Sequence, residues 1–137
     1  MLHRIKKAFT LVEVIIVVII LGIIASFALP RYTTVVERSR SNEGVQILMA
    51  LLGAQRRHAL ENGSYKAGTG AGGAIVDGDL DIDIPVPDNF AIPVIINNPN
   101  NVASITRTGL YTLSIDEDGT ITCADIGANT FCARMGY

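Results

Sequence analysis

A long apolar segment near the N-terminus dominates the pattern of hydrophobic and polar positions along the chain. It runs from Phe9 to Pro30 and contains one charged side chain, that of Glu13. Its uncharged part, Val14 to Pro30, has 17 residues, which extend about 25 Å as a helix. That length is at the lower edge of what crosses a membrane. The pattern therefore predicts a helix that is apolar on all sides.

Glu13 is the residue in this segment that needs an explanation, because a carboxylate in bilayer hydrocarbon costs about 2.5 kcal/mol or more. A secretory signal would use the small residues of Ser26-Phe27-Ala28 as its cleavage site. A single-pass anchor would keep three basic residues in the cytoplasm: Arg4, Lys6 and Lys7. Neither interpretation gives Glu13 a role.

Polarity changes directly after Pro30, but the helical spacing continues. Apolar residues recur on one stripe: Val45, Leu48, Met49, Leu52 and Ala59. Arg56 falls within this stripe, so its side chain must reach water or find a partner. Asn62-Gly63 is a C-cap signal because both residues tolerate the left-handed conformation. We expect one helix from Phe9 to Asn62, with an amphipathic second half.

Gly22 and Pro30 interrupt the apolar half of this predicted helix. Proline has no backbone donor and its ring clashes with the preceding turn, so a kink or a locally opened stretch is expected between the two residues. Membrane helices also simply tolerate glycine and proline. The sequence leaves both interpretations open.

The segment from Ser64 to Asn89 is rich in glycine, then acidic, and contains Pro85 and Pro87. It predicts a long loop with a short edge strand near residues 74–76. The glycines do not form a phosphate-binding loop, because no Lys-Ser or Lys-Thr pair follows them. Alternate aspartates share one face of an extended chain and are candidate calcium ligands: Asp77, Asp79, Asp81 and Asp83. A solvated acidic loop is the interpretation we favour.

Four segments rich in Ile, Val, Thr and Tyr predict strands: Phe90 to Ile96, Val102 to Thr106, Leu110 to Ile115 and Thr120 to Cys123. The stretch 116–119, Asp-Glu-Asp-Gly, predicts a tight turn with Gly119 in the left-handed position. Together with Asp125 this turn loosely resembles a calcium loop, but Ser114 stands where the first carboxylate should be. The predicted fold class is α+β, one long helix on a small antiparallel sheet.

Composition limits the function of the chain. Its 137 residues carry a net charge of −2, and removal of Arg4, Lys6 and Lys7 leaves eight basic against thirteen acidic side chains. Such a surface does not suggest nucleic-acid binding. Beyond His3, a catalytic triad or zinc site would depend on His58 alone, so neither an enzyme nor a cofactor is expected.

Two cysteines, Cys123 and Cys132, lie close together near the C-terminus. In a chain that begins like an exported protein, they predict a disulfide rather than a metal site. A bond that closes so short a loop stabilises the fold by about 2–3 kcal/mol in the chain-entropy treatment.

The stretch KKAFTLVEVIIVVIILGIIASFALPRY resembles the N-terminus of the type IV pilin family, which includes the pseudopilins of type II secretion. The resemblance implies cleavage between Ala8 and Phe9 and methylation of the new N-terminal amine on Phe9. Glu13 takes the place of the family's glutamate, and Gly22 and Pro30 stand where pilins carry a glycine and a proline. Ala8 departs from the glycine that usually precedes the cut.

The same resemblance implies a type IV pilin-like layout. Residues 1–8 would be a basic leader, 9–62 the helix, 63–89 the helix-to-sheet loop, and 90–137 the sheet with a disulfide-bounded C-terminal loop. The implied partners are identical subunits, a prepilin peptidase and the pilus assembly machinery. The precursor would lie in the inner membrane before it joins an extracellular filament.

In such a filament Glu13 would gain a partner, the N-terminal amine of a neighbouring subunit. A buried ion pair need not add net stability over apolar side chains of similar size. A subunit at the wrong axial offset, however, would leave a charge unpaired in a low dielectric. The carboxylate would therefore select one stagger between subunits.

Two other functions are consistent with the sequence. One is a pseudopilin of type II secretion, but major pseudopilins commonly lack a C-terminal disulfide loop, so Cys123 and Cys132 favour a pilus subunit. The other is a single-pass periplasmic binding module that holds a ligand or ion in its acidic loop and keeps an uncut N-terminus. Pilins serve adhesion, motility or DNA uptake according to their partner machinery.

Overall fold

A computed structural model describes residues 9–84 and 87–137, apart from the side chain of residue 30. The predicted leader, with Ala8, and Pro85 lie outside the described residues. In chain order the elements are α1 (Leu11–Asn62), a 3-10 turn (Ala71–Gly73), β1 (Val94–Ile95), β2 (Ala103–Arg107), β3 (Tyr111–Ile115), β4 (Ile121–Asp125) and α2 (Phe131–Met135). The predicted α+β class, a long helix with a small antiparallel sheet, is confirmed.

α1 is one uninterrupted helix of 52 residues. It begins after Thr10, whose Oγ1 accepts a hydrogen bond from the backbone N–H of Glu13 at 3.3 Å. It ends at Gly63, which has a φ of 78° and donates to the carbonyl of Ala59, so the predicted C-cap is confirmed. The helix runs through residues 22–30 without a break, and no locally opened stretch lies there.

The second half of α1 packs one face against the sheet, and this face is rotated from the predicted stripe. Leu48 and Leu52 are buried as predicted, but Met49 is 46% exposed. The prediction for Met49 is wrong because it lies about 100° around the helix from Leu48, while Leu51 shares the buried side. Polar and small residues complete the buried face: Glu37, Ser41, Gly44, Ala54 and Gln55.

The four strands form an antiparallel sheet in the order β1-β2-β3-β4. Alternate residues of β2 and β3 are buried and cover α1: Ala103, Ile105, Tyr111, Leu113 and Ile115. The strand predicted from Phe90 shortens to two residues because Pro93 cannot donate to the ladder. The predicted edge strand near 74–76 is reduced to one bridge between Ala74 and Val94.

The turn between β3 and β4 is confirmed, with Gly119 at a φ of 91°. Asp116 organises it, since its Oδ1 accepts the backbone N–H groups of Asp118 (3.0 Å) and Thr120 (2.8 Å). The guanidinium of Arg56 donates to the carbonyl of Glu117 in this turn. The partner that the sequence required for Arg56 is therefore the turn backbone.

Two buried polar side chains fasten the loop between α1 and β1. Gln55, with no exposed surface, donates to the carbonyl of Lys66 (2.6 Å) and accepts its N–H (2.9 Å). Asp79, 5% exposed, accepts the N–H and hydroxyl of Thr69 (3.0 and 2.8 Å) and the N–H of Val76 (3.0 Å). These two side chains thus give three backbone N–H groups of the long loop a fixed partner, those of Lys66, Thr69 and Val76.

The predicted disulfide joins Cys123 in β4 to Cys132 in α2. The short helix α2 was not expected in this loop. The side chain of Thr130, the N-cap residue of α2, makes no capping hydrogen bond. Instead Oδ1 of Asp125 accepts the N–H groups of Phe131 (2.8 Å) and Cys132 (3.1 Å). The helix depends on a carboxylate from a neighbouring strand, which explains why no local signal predicted it.

Candidate assembly surface

The first half of α1 carries an apolar surface that the rest of the chain leaves uncovered. The large apolar side chains from Leu11 to Leu29 are 48–76% exposed. By length and composition this part of the helix could cross a membrane. Soluble monomers rarely expose apolar patches of this size, so the surface indicates contact with lipid or with another protein.

α1 therefore has two halves with different surroundings. Its second half is one-sided and buries Leu48, Leu51 and Leu52 against the sheet. Its first half contributes nothing to that core, since every described residue up to Thr33 is exposed. Folding of the body leaves the apolar half free to make contacts elsewhere.

Glu13 lies in the first turn of α1 with its side chain exposed. Its carboxylate makes no hydrogen bond or ion pair with any described residue. Its backbone N–H is bound by Thr10, and the spacing Thr10-x-x-Glu13 is that of a capping box. The N-cap at Thr10 was not predicted from the sequence, although the four letters carry its signal, and the reciprocal bond from the Thr10 N–H to the Glu13 carboxylate is not formed between these two described residues. A carboxylate near a helix N-terminus is also favoured by the helix dipole.

Two other residues predicted for assembly, Phe9 and Gly22, lie open, while the side chain of Pro30, also predicted for assembly, lies outside the described part of the chain. Phe9 is 75% exposed, one residue before the cap of α1. A Cβ added to Gly22 would meet no atom within 4 Å. Nothing within the described chain requires glycine at position 22.

The four candidate calcium ligands do not converge. Asp79 points into the loop and binds Thr69 and Val76, while Asp77, Asp81 and Asp83 are exposed. In the described ranges no three His, Cys, Asp or Glu side chains are arranged to hold a metal ion. The turn at 116–119 with Asp125, the second candidate calcium site, already uses its carboxylates within the fold. Asp116 accepts backbone N–H groups of its own turn, and Asp125 caps α2.

The electrostatics of Asp79 follow from its contacts. Burial alone would raise the pKa of its carboxyl, but the hydrogen bonds from Thr69 and Val76, with the nearby ammonium of Lys66, lower it below the ordinary value. The Lys66 Nζ atom lies 3.8 Å from Oδ1 of Asp79. The carboxylate is thus held ionised as a structural acceptor.

A charge cluster around the buried carboxylate of Glu37 joins α1 to the end of β2 and was missed in the sequence. Glu37 is 7% exposed and pairs with Arg40 on its own helix and with Arg107, whose Nε lies 3.4 Å from Oε2. Arg107 also donates to the carbonyl of Asn89 at 2.7 Å. Only the spacing of Glu37 and Arg40 could have been seen locally, since the contact with Arg107 spans 70 residues.

Comparison with known proteins finds similarity to fimbrial proteins, and the matched family motif covers most of the apolar half of α1. A family model described as the prokaryotic N-terminal methylation motif matches residues 3–29. The fimbrial protein EcpC of Eikenella corrodens is 38% identical over 73 residues, which are 53% of this chain and 48% of EcpC. The type IV major fimbrial protein FimA of Dichelobacter nodosus is 49% identical over 46 residues, 34% of this chain and 29% of FimA.

These matches span about half the length of EcpC and less than a third of FimA. No solved structure matches the chain. The similarity to fimbrial proteins is therefore established for part of the chain, and the N-terminal motif accounts for 27 of its residues.

Proposed function

We propose that this chain is a type IV pilin, a structural subunit that is anchored in the inner membrane before assembly and then polymerises into an extracellular filament. One observation carries the proposal: a single helix is packed on its own sheet over one half and wholly uncovered and apolar over the other. The uncovered half can lie in lipid as a monomer and against identical helices in a polymer. The fimbrial relatives and the N-terminal motif support this role.

Maturation in this proposal removes residues 1–8 and methylates the amine of Phe9. The matched motif extends across the cut between Ala8 and Phe9. The new N-terminus would lie one residue before Thr10, the N-cap of α1. A prepilin peptidase and an assembly machinery are the implied partners, together with further copies of the chain.

Glu13 acts in this proposal as the register residue. Its carboxylate, which has no partner among the described residues, would meet the N-terminal amine of a neighbouring subunit inside the apolar filament core. Breaking a buried ion pair costs about 3–5 kcal/mol because a charge is left uncompensated. Offsets that separate the two charges are thereby disfavoured, while the apolar helix surfaces supply the attraction.

A pseudopilin would share the helix and the motif. The disulfide-bounded C-terminal loop and the fimbrial names of the relatives favour a pilus subunit. A binding module that uses the acidic loop has less support, since Asp79 is already engaged by the loop backbone. We assign the chain a structural role and no catalytic one.

The mass of the N-terminal peptide of the cell-associated protein tests this proposal. Phe9 with one added methyl group, in protein recovered from sheared surface filaments, is the expected result. A chain that starts at Leu29 would identify a secretory signal, and one that starts at Met1 an ordinary anchor. Methylated protein that occurs only in the cell envelope would indicate the pseudopilin.

A further inference from the structure

Three arginines lie along one side of α1 directly after its apolar half. Arg31 and Arg38 are seven residues apart, which places them within about 20° of each other around the helix. Thr34 lies between them on the same side. Arg134 of α2 reaches this point from the other end of the chain and donates to Oγ1 of Thr34 at 2.7 Å.

This basic face, formed by Arg31, Arg38 and Arg134, carries uncompensated charge. All three side chains are exposed, and within residues 9–84 and 87–137 none forms an ion pair with a carboxylate. Two carboxylates of the same region are engaged elsewhere. Glu37 pairs with other arginines, and Asp125 binds the N–H groups that open α2.

Arg134 is held in place rather than left to move freely. Its guanidinium carbon lies 5.7 Å from the centre of the Phe131 ring, in addition to its bond to Thr34. Phe131 is next to Cys132, so the disulfide positions the helix that presents Arg134. The C-terminal loop thus adds a cation to a surface that α1 begins.

The position of the basic face relative to a membrane follows from the length of α1. The exposed apolar surface from Leu11 to Leu29 is about 28 Å long, close to the roughly 30 Å of bilayer hydrocarbon. Arg31 then lies just outside the hydrocarbon and Thr34 about 7.5 Å beyond Leu29, at the depth of lipid headgroups. Tyr32, 67% exposed, lies at the same boundary, where aromatic rings are favoured.

We propose that Arg31, Arg38 and Arg134 bind the phosphate groups of anionic phospholipids and so seat the globular body on the membrane before assembly. The inference rests on the membrane-held precursor of the proposed function. Guanidinium groups match phosphate oxygens with paired hydrogen bonds. Basic residues at a membrane surface add attraction to anionic lipid. Lipid is favoured over a soluble phosphate because the cluster adjoins the membrane-length segment.

The experiment uses the full chain in nanodiscs of phosphatidylcholine, alone or mixed with phosphatidylglycerol. Native mass spectrometry counts the lipids of each kind that remain bound. We expect phosphatidylglycerol to be enriched around the wild type. Removing the arginines one at a time, as Arg31→Gln, Arg38→Gln or Arg134→Gln, should lower this enrichment by up to about fivefold each.

Arg57→Gln is the matched control. Arg57 is exposed and lies on α1 about 39 Å beyond Arg31. Its guanidinium donates to the carbonyl of Asp81 and forms no ion pair in the described part of the chain. This variant should retain the lipid preference of the wild type. Equal loss in Arg57→Gln would reveal a general charge effect and overturn the inference.

Other outcomes are equally decisive. A chain that does not insert into either nanodisc contradicts the proposed function itself, whereas insertion without a preference for phosphatidylglycerol overturns only the lipid site. Loss of the preference on addition of inorganic phosphate would assign the cluster to a free anion. Arginine-dependent dimers in phosphatidylcholine alone would assign it to a second copy. If Arg134→Gln unfolds the body, the Arg31→Gln/Arg38→Gln double variant tests the lipid site instead. Unchanged phosphatidylglycerol enrichment in that variant would overturn the inference.

Discussion

Gly44 of α1 and Phe90 before β1 are in direct contact: a Cβ on Gly44 would lie 3.0 Å from Cζ of Phe90 and 3.2 Å from Cδ1 of Leu113. This close approach brings the helix onto the sheet. We expect Gly44→Ala to destabilise the body by about 1–3 kcal/mol, because the added methyl group overpacks this contact. Urea unfolding of the chain in detergent measures the change.

Gly53→Ala is the control for this prediction. Gly53 lies in the same helix, and the nearest atom to its added Cβ is Nη1 of Arg57 at 3.9 Å. Alanine there should stabilise the helix by about 0.5–1 kcal/mol through its higher helix propensity. If both variants shift stability in the same direction, the Phe90 contact does not limit the approach of helix and sheet.

Glu13→Gln tests the register role of the carboxylate. Glutamine has the same size but no charge, and the bond from the Glu13 backbone to Thr10 is unaffected. Membrane insertion should remain at the wild-type level, while the yield of sheared filaments falls at least tenfold, as expected for a lost buried ion pair. Thr10→Ala is the control, since it removes the cap and keeps the charge. Normal filaments from Glu13→Gln would remove the register argument.

Asp79 makes the stability of the fold decrease at acidic pH. Because its folded pKa lies below the ordinary value of 3.8, the unfolded chain binds more protons in the interval between the two values. The contribution is present above the ordinary pKa and is lost as pH falls through the folded one. Asp79→Asn should cost about 1.5–3 kcal/mol at neutral pH and flatten the acid branch of stability. Urea midpoints from neutral pH to pH 2 measure both effects, and an unchanged acid branch would contradict them.

Tyr111 makes the stability of the fold depend on pH in the alkaline range. Burial, with the negative charge of Glu37 adding to it, raises the pKa of Tyr111 from 10.0 to about 12. As pH rises, the tyrosine ionises in the unfolded chain before it does so in the folded chain. The free energy of unfolding therefore starts to fall above the ordinary pKa of tyrosine, and the contribution of Tyr111 is lost as pH passes the folded pKa. Ultraviolet absorbance of the phenolate follows the titration directly.

The hydroxyl of Tyr111 has no hydrogen-bond partner among the described residues. Removing a buried unpaired hydroxyl relieves a desolvation cost of about 1–3 kcal/mol, so Tyr111→Phe should raise stability at neutral pH by about 1 kcal/mol and weaken the alkaline loss. Tyr32→Phe, at an exposed site, should do neither. A destabilised Tyr111→Phe would show that the hydroxyl has a favourable role.

Local signals were sufficient for part of this fold. The helix end at Gly63 and the turn at Gly119 each depend on one glycine and its neighbours, and both were predictable. Burial of Gln55 was not, because its partner is the backbone of Lys66 in a loop of no regular pattern. Tertiary contacts decide such positions, and the sequence pattern describes only the element that bears them.

The candidate site divides in the same way. Glu13 stood out because one charge in an apolar run is visible in the letters alone. The approach of Arg134 to Thr34 joins residues 100 positions apart, and no periodicity could predict it. The alternate aspartates gave a pattern without a site, since Asp79 turns inward while Asp81 turns out.

Continuity of α1 fixes the angular phase between the apolar half and the body. No flexible linker separates them, so a rotation of one half turns the other by the same amount. One residue inserted after Val35 would rotate the sheet by about 100° around the axis of α1 and shift it by about 1.5 Å along that axis, away from the apolar half. In a helical polymer, the direction in which each body faces is therefore set by the number of residues between Leu29 and Glu37.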